Sequence, residues 1–310
     1  MSGAKKVLFL ILLLPSVMAS GQGAPFNPVS GRIFTQYVFN PAIAGSRDFL
    51  SVDLLASLQD KQHSQLLGAH MRIGKKEHGS RPESGIREFS NIGAGAYIWN
   101  DNTGSGRNAG AALAGAYHIP LGRERHSFLS LGAAAKGFFS HSPGDADLNI
   151  AARDTVFPDL DAGIYFYNPV FHIGLSATNI FSRNPVNGTD GTYEKYVLNT
   201  GFKILISRSL RIILEPLMIA GMGDALPDKI RDVFHPGMKL YLGNFCMGSY
   251  LNDYERIPFF FQYKYPGFYI GTFFDLPRNT PFYKKDITAE IALGINIIKN
   301  KTAYNRIDQW

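Results

Sequence analysis

Apolar and polar residues alternate along most of the chain, in short segments that have the period of β-strands. In segment 49–59, Leu50, Val52 and Leu54 share one face, and Ser51 and Asp53 lie on the other. The last segment is the most regular, with Ile287, Ala289, Ile291, Leu293, Ile295 and Ile297 opposite Thr288, Glu290, Gly294 and Asn296. A period of two over nine or more residues predicts a half-buried strand, and about ten residues are enough for a tilted membrane strand.

The connections between these segments alternate in length along most of the chain. Short turns are expected at 168–169, 207–209, 243–244 and 265–267, and long connections at 140–158, 181–193, 220–229 and 275–285. This layout predicts an all-β protein, an up-and-down antiparallel transmembrane β-barrel of about 14 strands, with short turns in the periplasm and long loops outside. The connection 74–87 is long and charged although it falls on the short-turn side, so Lys75, Lys76 and Arg81 are candidate contacts for periplasmic partners.

The N-terminus has the pattern of a secretory signal. Lys5 and Lys6 precede the apolar run 7–14, which is too short to span a bilayer, and small residues allow cleavage near Ala19 or Gly21. We therefore divide the chain into a signal peptide 1–21, a periplasmic segment 22–47, a barrel 48–298 and a C-terminal tail 299–310. No later apolar run reaches about 18 residues, so no membrane helix is expected.

Composition fits a barrel without proving one, since 45% apolar and 13% aromatic residues also suit a soluble β-sandwich. The export signal and the even strand number favour the barrel. So do Gly93, Gly95, Gly132 and Gly201 on the polar faces, because small residues leave room for something inside. The net charge of +6 is scattered over the chain, which argues against a nucleic-acid partner. One cysteine excludes an intrachain disulfide.

Charged residues of both signs lie on the polar faces of the predicted strands. The candidate lumen residues are Asp53, Lys136, Lys203, Arg211, Glu215, Lys239, Lys264 and Glu290. They are consistent with a network that keeps inward-facing charges paired, and equally with the lining of a passage. The strand pattern leaves both interpretations open.

Catalytic signatures are weak. The adjacent pairs His63-Ser64, His126-Ser127 and His141-Ser142 make poor base–nucleophile couples in strands, where neighbours point to opposite faces. The glycine-rich stretch 103–110 lacks the Lys-Ser/Thr ending of a phosphate loop. We expect neither an enzyme nor a cofactor. Aspartates in the 140–161 region leave calcium binding there open.

A compact motif, Phe39-Asn40-Pro41-Ala42 followed by Gly45, precedes the first strand. Asn40 before a proline is restricted to extended or turn geometry, and Gly45 can adopt a positive φ. The motif is therefore a structural elbow that directs the chain into strand 1, or else a plug or docking segment at the periplasmic mouth. These five residues are candidate docking residues in the second interpretation.

This stretch, 36–46, resembles the Asn-Pro-Ala-x-x-Gly opening of the PorP/SprF-like outer-membrane proteins of Bacteroidota. Segments 159–164, 174–179 and 290–294 resemble later parts of the same family pattern. The family commonly has Gln-Trp in the first hairpin, where this chain has Leu58-Gln59.

The resemblance implies an integral outer-membrane barrel of the type IX secretion and gliding machinery, surrounded by lipid. It further implies contact with a periplasmic secretion-ring lipoprotein and its ring partner, with a peptidoglycan-binding lipoprotein, and with a secreted adhesin or cargo C-terminal domain. The alternative function is a passive porin or a transporter of hydrophobic molecules. In that case Lys136, Lys203 and Arg211 would favour anions.

Overall fold

A computed structural model describes residues 31–47, 49–59, 62–73, 91–103, 106–121, 127–142, 152–181, 195–223, 233–251, 256–265, 267–277 and 287–297. The predicted signal peptide, the connection 74–87 and the predicted tail lie outside these residues. Within them, no helix is long and apolar enough to span a membrane.

The described chain is dominated by strands. In chain order they are β1 (Leu50–Gln59), β2 (Gln62–Arg72), β3 (Ile92–Thr103), β4 (Gly106–Leu121), β5 (Ser127–Ser142), β6 (Arg153–Tyr167), β7 (Phe171–Ala177), β8 (Tyr196–Phe202), β9 (Ile204–Ser207), β10 (Ile212–Met222), β11 (Phe234–Leu242), β12 (Phe245–Tyr250), β13 (Arg256–Tyr265), β14 (Phe268–Pro277) and β15 (Thr288–Ile297). A short helix α1 (Gly31–Phe34) and two 3₁₀ helices, Gln36–Val38 and Pro41–Ile43, precede them.

The strands form one closed antiparallel sheet. Chain neighbours pair throughout, and the circle closes where β1 pairs with β15, with Leu50 opposite Ile297. Segments β8 and β9 are interrupted at Lys203 and both pair with β10, so they form one barrel strand. The 15 segments thus make 14 barrel strands, which confirms the predicted fold.

The two faces of each strand separate as the alternation predicted. In β15, Ile291, Ile295 and Ile297 are exposed, whereas Glu290 and Asn296 are buried. The same outward exposure recurs around the barrel, for example at Ile98, Leu113, Leu131, Ile173, Phe261 and Ile270. A barrel that turns its apolar face outward and its polar face inward is built for lipid outside and a polar lumen inside.

The barrel has two different ends. The short-turn end carries the connections 122–126, 168–170, 208–211, 243–244 and 266–267 and the long exception 73–91, and the chain enters β1 and leaves β15 there. The opposite, long-loop end carries the connections 143–152, 178–195, 223–233 and 278–287. Bacterial barrels keep their short turns in the periplasm, which assigns the short-turn end to that side.

Several predicted boundaries were wrong. Strand β5 continues to Ser142 and β6 begins at Arg153. Residues 140–142 and 153–158, predicted as parts of a connection, therefore belong to the β5–β6 hairpin, in which His141 pairs with Asp154. The connections after β1 and β3, residues 60–61 and 104–105, are short although they lie at the long-loop end. Polar composition misled the prediction of connection 140–158, because ladder hydrogen bonds continue beyond the apolar band whatever the side chains are.

Candidate functional site

The lumen contains residues 31–46, which we call the plug. Its Tyr37, Ala42 and Ala44 are 1%, 0% and 0% exposed. Burial raises the pKa of the Tyr37 hydroxyl above its usual range, and nearby Asp53 adds to this effect, so the group is neutral at physiological pH. Contrary to the expected periplasmic segment 22–47, the described residues 31–46 lie inside the barrel.

The Asn-Pro-Ala motif forms the turn at the centre of the plug. Asn40 adopts extended geometry and caps the 3₁₀ helix Pro41–Ile43, because its side-chain oxygen accepts a 3.0 Å hydrogen bond from the Ala42 N–H. Pro41 occupies a first-turn position where no N–H donor is needed. Its neighbour Asn40 also donates from Nδ2 to the Ile164 carbonyl of β6 at 3.2 Å, which joins the turn to the wall.

Side chains of the wall satisfy the carbonyl groups of the plug. Ser130 on β5 donates to the Ala42 carbonyl at 2.7 Å, and Ser176 on β7 donates to the Phe39 carbonyl at 2.7 Å. Tyr97 on β3 donates to the Val38 carbonyl at 3.3 Å. Buried carbonyl groups need such partners, so the wall is built to receive this particular backbone path.

Two histidines hold the plug where it leaves toward β1. His70 accepts from the Gly45 N–H at 3.3 Å, and His118 Nε2 donates to the Ala44 carbonyl at 2.9 Å. The other nitrogen of His118 lies 3.1 Å from the Tyr167 hydroxyl, which accepts at 3.1 Å from Arg72. This chain of contacts connects β2, β4 and β6 through the plug.

Glycines on the wall make space for the plug. A Cβ on Gly132 would lie 2.5 Å from the carbonyl carbon of Pro41, and one on Gly95 would lie 3.3 Å from the Ala44 side chain. The Ala44 carbonyl likewise takes the space that a Cβ on Gly93 would need, and the Asn40 side chain takes the space beside Gly163. The prediction that small inward residues leave room for something inside is therefore confirmed at Gly93, Gly95 and Gly132. At Gly201 the nearest atoms belong to His172 and Glu215.

The plug reaches the opposite wall through Phe34. Its ring lies 6.2 Å from Phe260 and 6.3 Å from Tyr269, and it fills the space beside Gly271. Since Asn40 contacts β6 and Phe34 contacts β13 and β14, the plug crosses the lumen. Only a narrow cleft remains beside it among the described residues, lined by Arg32, Gln36, Phe39, Asn40, Ser176, Val197, Asn199 and Ile219.

Replacing Gly132 by alanine should destabilise the barrel by displacing the plug. The new methyl group would meet backbone atoms of Pro41 and Ala42, which cannot rotate away, so we expect a loss of about 1–3 kcal/mol. Unfolding in urea, followed by the heat-modified mobility of the detergent-solubilised barrel, measures it. Gly137→Ala on the same strand is the control, because no atom lies within 4 Å of that position. Equal effects of the two substitutions would show that Gly132 does not make space for the plug.

Asn40→Ala should cost about 1–2 kcal/mol, because it removes both the cap of the 3₁₀ helix and the bond to Ile164. Asn40→Asp keeps the acceptor for the Ala42 N–H but loses the donor to the Ile164 carbonyl. Its carboxylate, buried opposite that carbonyl oxygen, has no partner there, so the same urea titration should rank the variants wild type, then Ala, then Asp. An aspartate variant as stable as wild type would show that the bond to the wall contributes nothing.

The lumen also contains the ion pair between Lys136 on β5 and Asp161 on β6, at 2.6 Å. Lys136 donates in addition to Asn179 Oδ1 at 2.6 Å, and Asp161 accepts from the Asn179 N–H at 2.8 Å. Asp161 is 0% exposed, so the lumen candidate Lys136 belongs to a compensated pair.

A second network lies nearer the short-turn end. Glu215 on β10 accepts from the Tyr241 hydroxyl at 2.6 Å and from Lys239 at 3.4 Å. Lys203 lies beside it, 6.0 Å from the ring centre of Tyr241. These contacts bring together three of the lumen candidates.

The remaining lumen candidates have different surroundings. Asp53 is buried and accepts from Tyr269 at 2.7 Å and from Ser51 at 3.1 Å. Glu290 is also buried, and Lys264 is half-buried on β13. Arg211 was wrongly predicted: it is exposed in the turn after β9, with φ at 50°. It has the inward parity of β10, but that strand begins only at Ile212.

The candidate periplasmic contacts Lys75, Lys76 and Arg81 lie outside the described residues. Of the aspartates considered for calcium, Asp159 and Asp161 point into the lumen region and bind backbone N–H groups, and Asp154 pairs with His141. Within the described chain, no group of three His, Cys, Asp or Glu side chains is arranged to hold a metal ion.

Sequence reasoning missed the wall residues that bind the plug, namely His70, Tyr97, His118, Ser130 and Ser176. Their inward parity was available from the alternation. Their partners were not, because each bond joins residues far apart in the chain, such as Ser176 and Phe39 at a separation of 137.

A protein-family model described as type IX secretion system membrane protein PorP/SprF matches residues 32–295. The chain belongs to the PorP/SprF family. The match includes nearly all of the plug as well as the barrel, so both are parts of the family region. Membership and fold together make this PorP/SprF protein an outer-membrane β-barrel component of type IX secretion.

Solved barrels resemble it only distantly. Omp33 of Acinetobacter baumannii is 10% identical with a TM-score of 0.42, over 82% of this chain and 99% of that one. The KdgM porin is 8% identical with a TM-score of 0.38, over 81% of this chain and 99% of that one. BamA of Haemophilus ducreyi lacking POTRA domains 1–3 is 9% identical with a TM-score of 0.37, over 81% of this chain and 71% of that one. A comparison with curated proteins finds no match.

Proposed function

We propose that this PorP/SprF barrel is a non-enzymatic, non-conducting anchor of the type IX machinery. The observation that carries the proposal is the plug, which crosses the lumen and contacts strands on both sides. A porin needs a continuous aqueous path, whereas here backbone, aromatic rings and paired charges occupy the described lumen. The passive-porin alternative has no comparable support.

The two ends then have different tasks. The long-loop end, chiefly connections 143–152 and 178–195, would hold a secreted adhesin or the C-terminal domain of a cargo protein. The short-turn end would dock the periplasmic secretion-ring lipoprotein, its ring partner and a peptidoglycan-binding lipoprotein. Family membership supports secretion-system partners in general, and the assignment of each partner to an end is our proposal.

Planar-bilayer recording tests the non-conducting barrel. We expect the purified, correctly folded protein to insert without producing steady single-channel steps. A large and steady conductance would refute the proposal and favour the passive porin.

Co-purification in mild detergent tests the anchoring half of the proposal. A tagged copy expressed in its own cells should retain secretion-ring components, and the interaction should survive a wash with salt above physiological strength. Recovery of the barrel alone, under conditions where the ring itself stays assembled, would refute the docking function.

A further inference from the structure

One strand of the barrel loses its neighbour at the short-turn end. The strand formed by β8 and β9 pairs with β10 in one register up to Leu205, which lies opposite Ile213. On its other side, the pairing with β7 ends at Phe202, because the β6–β7 hairpin turns at 168–170. Within the described chain, β9 pairs with β10 alone. We call the free side of residues 204–207 the β9 edge.

The backbone of Leu205 points to this free side. Lys203, two residues earlier, donates its N–H to the Val170 carbonyl at 2.7 Å, which is the last backbone bond to the β6–β7 hairpin in the described chain. The backbone groups of every second residue in a strand point to the same side, so the N–H and C=O of Leu205 also face that side, where no strand lies. Ile206 is the extra residue of a bulge and has no register partner on β10. An unpaired edge of this kind is a template for a further strand.

The side chains of the β9 edge are apolar and exposed. Ile204, Leu205 and Ile206 are 42%, 50% and 58% exposed. Because neighbours in a strand point to opposite faces, both faces of β9 are exposed. Leu205 has the inward orientation of the strand, so lipid does not cover it. Solvent-exposed edge strands usually carry charged residues that prevent pairing, and β9 carries none. The β9 edge therefore has the properties of a docking edge and not of a protected one.

A second copy of the chain in the same membrane does not fit this edge. Antiparallel pairing of two identical strands has a two-fold axis perpendicular to the sheet. For a barrel wall that axis lies in the membrane plane, so the second barrel would be inverted. Regular parallel pairing joins opposite edges of two strands, and the other edge of β9 is occupied by β10. Lipid chains have no hydrogen-bonding groups to offer. These arguments favour a strand from a different protein on the periplasmic side.

Charge specifies the partner further. Residues 202–211 contain Lys203, Arg208 and Arg211 but no acidic residue, and the two arginines are exposed. We infer that the β9 edge pairs with an extended segment of a periplasmic protein, apolar where it meets residues 204–206 and acidic beside the arginines. Main-chain hydrogen bonds would hold the added strand, and charge-assisted bonds to the arginines would fix its register. This inference rests on the proposed docking of periplasmic partners and names the chemistry of one such contact.

Strand addition can be measured on the full detergent-solubilised barrel by fluorescence anisotropy. The probe is a short, end-blocked, fluorescein-labelled peptide that alternates valine and threonine between terminal glutamates. The reference is the same peptide methylated at every backbone nitrogen, which keeps its side chains and charges but can donate no main-chain hydrogen bond. We expect saturable binding of the unmethylated peptide only.

Leu205→Pro should weaken peptide binding by about tenfold, because it removes the N–H at the free edge while Leu205 needs no N–H for the pairing with β10. The matched control is Leu205→Val, which keeps that N–H and should stay within about threefold of wild type. Both variants must show the heat-modified mobility of the folded barrel. If the proline prevents folding, Ile206→Glu tests the same edge, because Ile206 is exposed and has no partner on β10. Its carboxylate should repel the terminal glutamates and weaken binding to a similar degree.

Equal binding of the two peptides would overturn the inference, as would a folded Leu205→Pro barrel that binds the probe like wild type. Two differently tagged copies that co-purify through this edge would also overturn it, because the occupant would then be a second copy. In cells, ring components should co-purify with the Leu205→Val barrel and be lost from the Leu205→Pro barrel. If both variants retain them, the β9 edge is not the contact, although the proposed function stands. If the wild-type barrel retains none, the proposed function itself fails.

Discussion

Deleting residues 31–46 should turn the closed barrel into a conducting one. The plug contacts six consecutive strands, β2 to β7, through His70, Tyr97, His118, Ser130, the Ile164 carbonyl and Ser176, and it meets β13 and β14 through Phe34. Without it, the glycines that now face its backbone would line an empty space on one side of the lumen. Single-channel steps, which we do not expect from the wild type, should appear in planar bilayers.

A milder variant keeps this prediction testable if the deletion prevents folding. The combination Ser130→Ala, Ser176→Ala and Asn40→Ala leaves the chain length intact and removes three ties between the plug and the wall. We expect this triple variant to conduct in brief openings, whereas the deletion variant should conduct steadily. A folded deletion variant that stays closed would show that the inward aromatic side chains, including Trp99 and Tyr165, seal the lumen by themselves.

The barrel could be predicted from the sequence because its signal is local. A strand with one face in lipid must alternate, and β15 shows that alternation from Thr288 to Ile297. Strand ends were less predictable. In the β5–β6 hairpin, polar residues such as His141 and Asp154 still pair, although their composition resembles that of a loop.

The plug could be recognised only in part. Its motif was visible, and so was the space provided by Gly93, Gly95 and Gly132, but nothing local joins the two. The deciding contact, from Asn40 to the Ile164 carbonyl, spans 124 residues. The prediction that Arg211 faces the lumen was wrong for a different reason. Alternation tells which face a residue takes only within a strand, and Arg211 lies in the turn before β10.

Breaking the Lys136–Asp161 pair should cause the largest loss of stability among single substitutions in the lumen. The two charges are 2.6 Å apart, with side chains only 7% and 0% exposed. Removing one partner of such a pair leaves a buried charge without compensation, at a cost of about 3–5 kcal/mol. Urea unfolding of Asp161→Asn and Lys136→Met measures the loss.

Lys136→Met should be the more damaging of the two. Asp159 is the register partner of Lys136 on β6 and is itself buried, so removal of the lysine leaves two carboxylates, Asp159 and Asp161, close together. Asp161→Asn leaves Lys136 with the Asn179 side-chain oxygen and with Asp159 nearby.

Asp154→Asn is the matched control for this comparison. Asp154 forms a 2.5 Å pair with His141 on the same two strands, but the two side chains are 65% and 44% exposed. An exposed pair contributes about 0–1 kcal/mol, so its loss should barely move the unfolding midpoint. The double variant Lys136→Met with Asp161→Asn should cost less than the two single losses added together, because neither charge is then left without its partner. Strict additivity would mean that the two residues stabilise the barrel independently, and the paired-charge account of the lumen would be wrong.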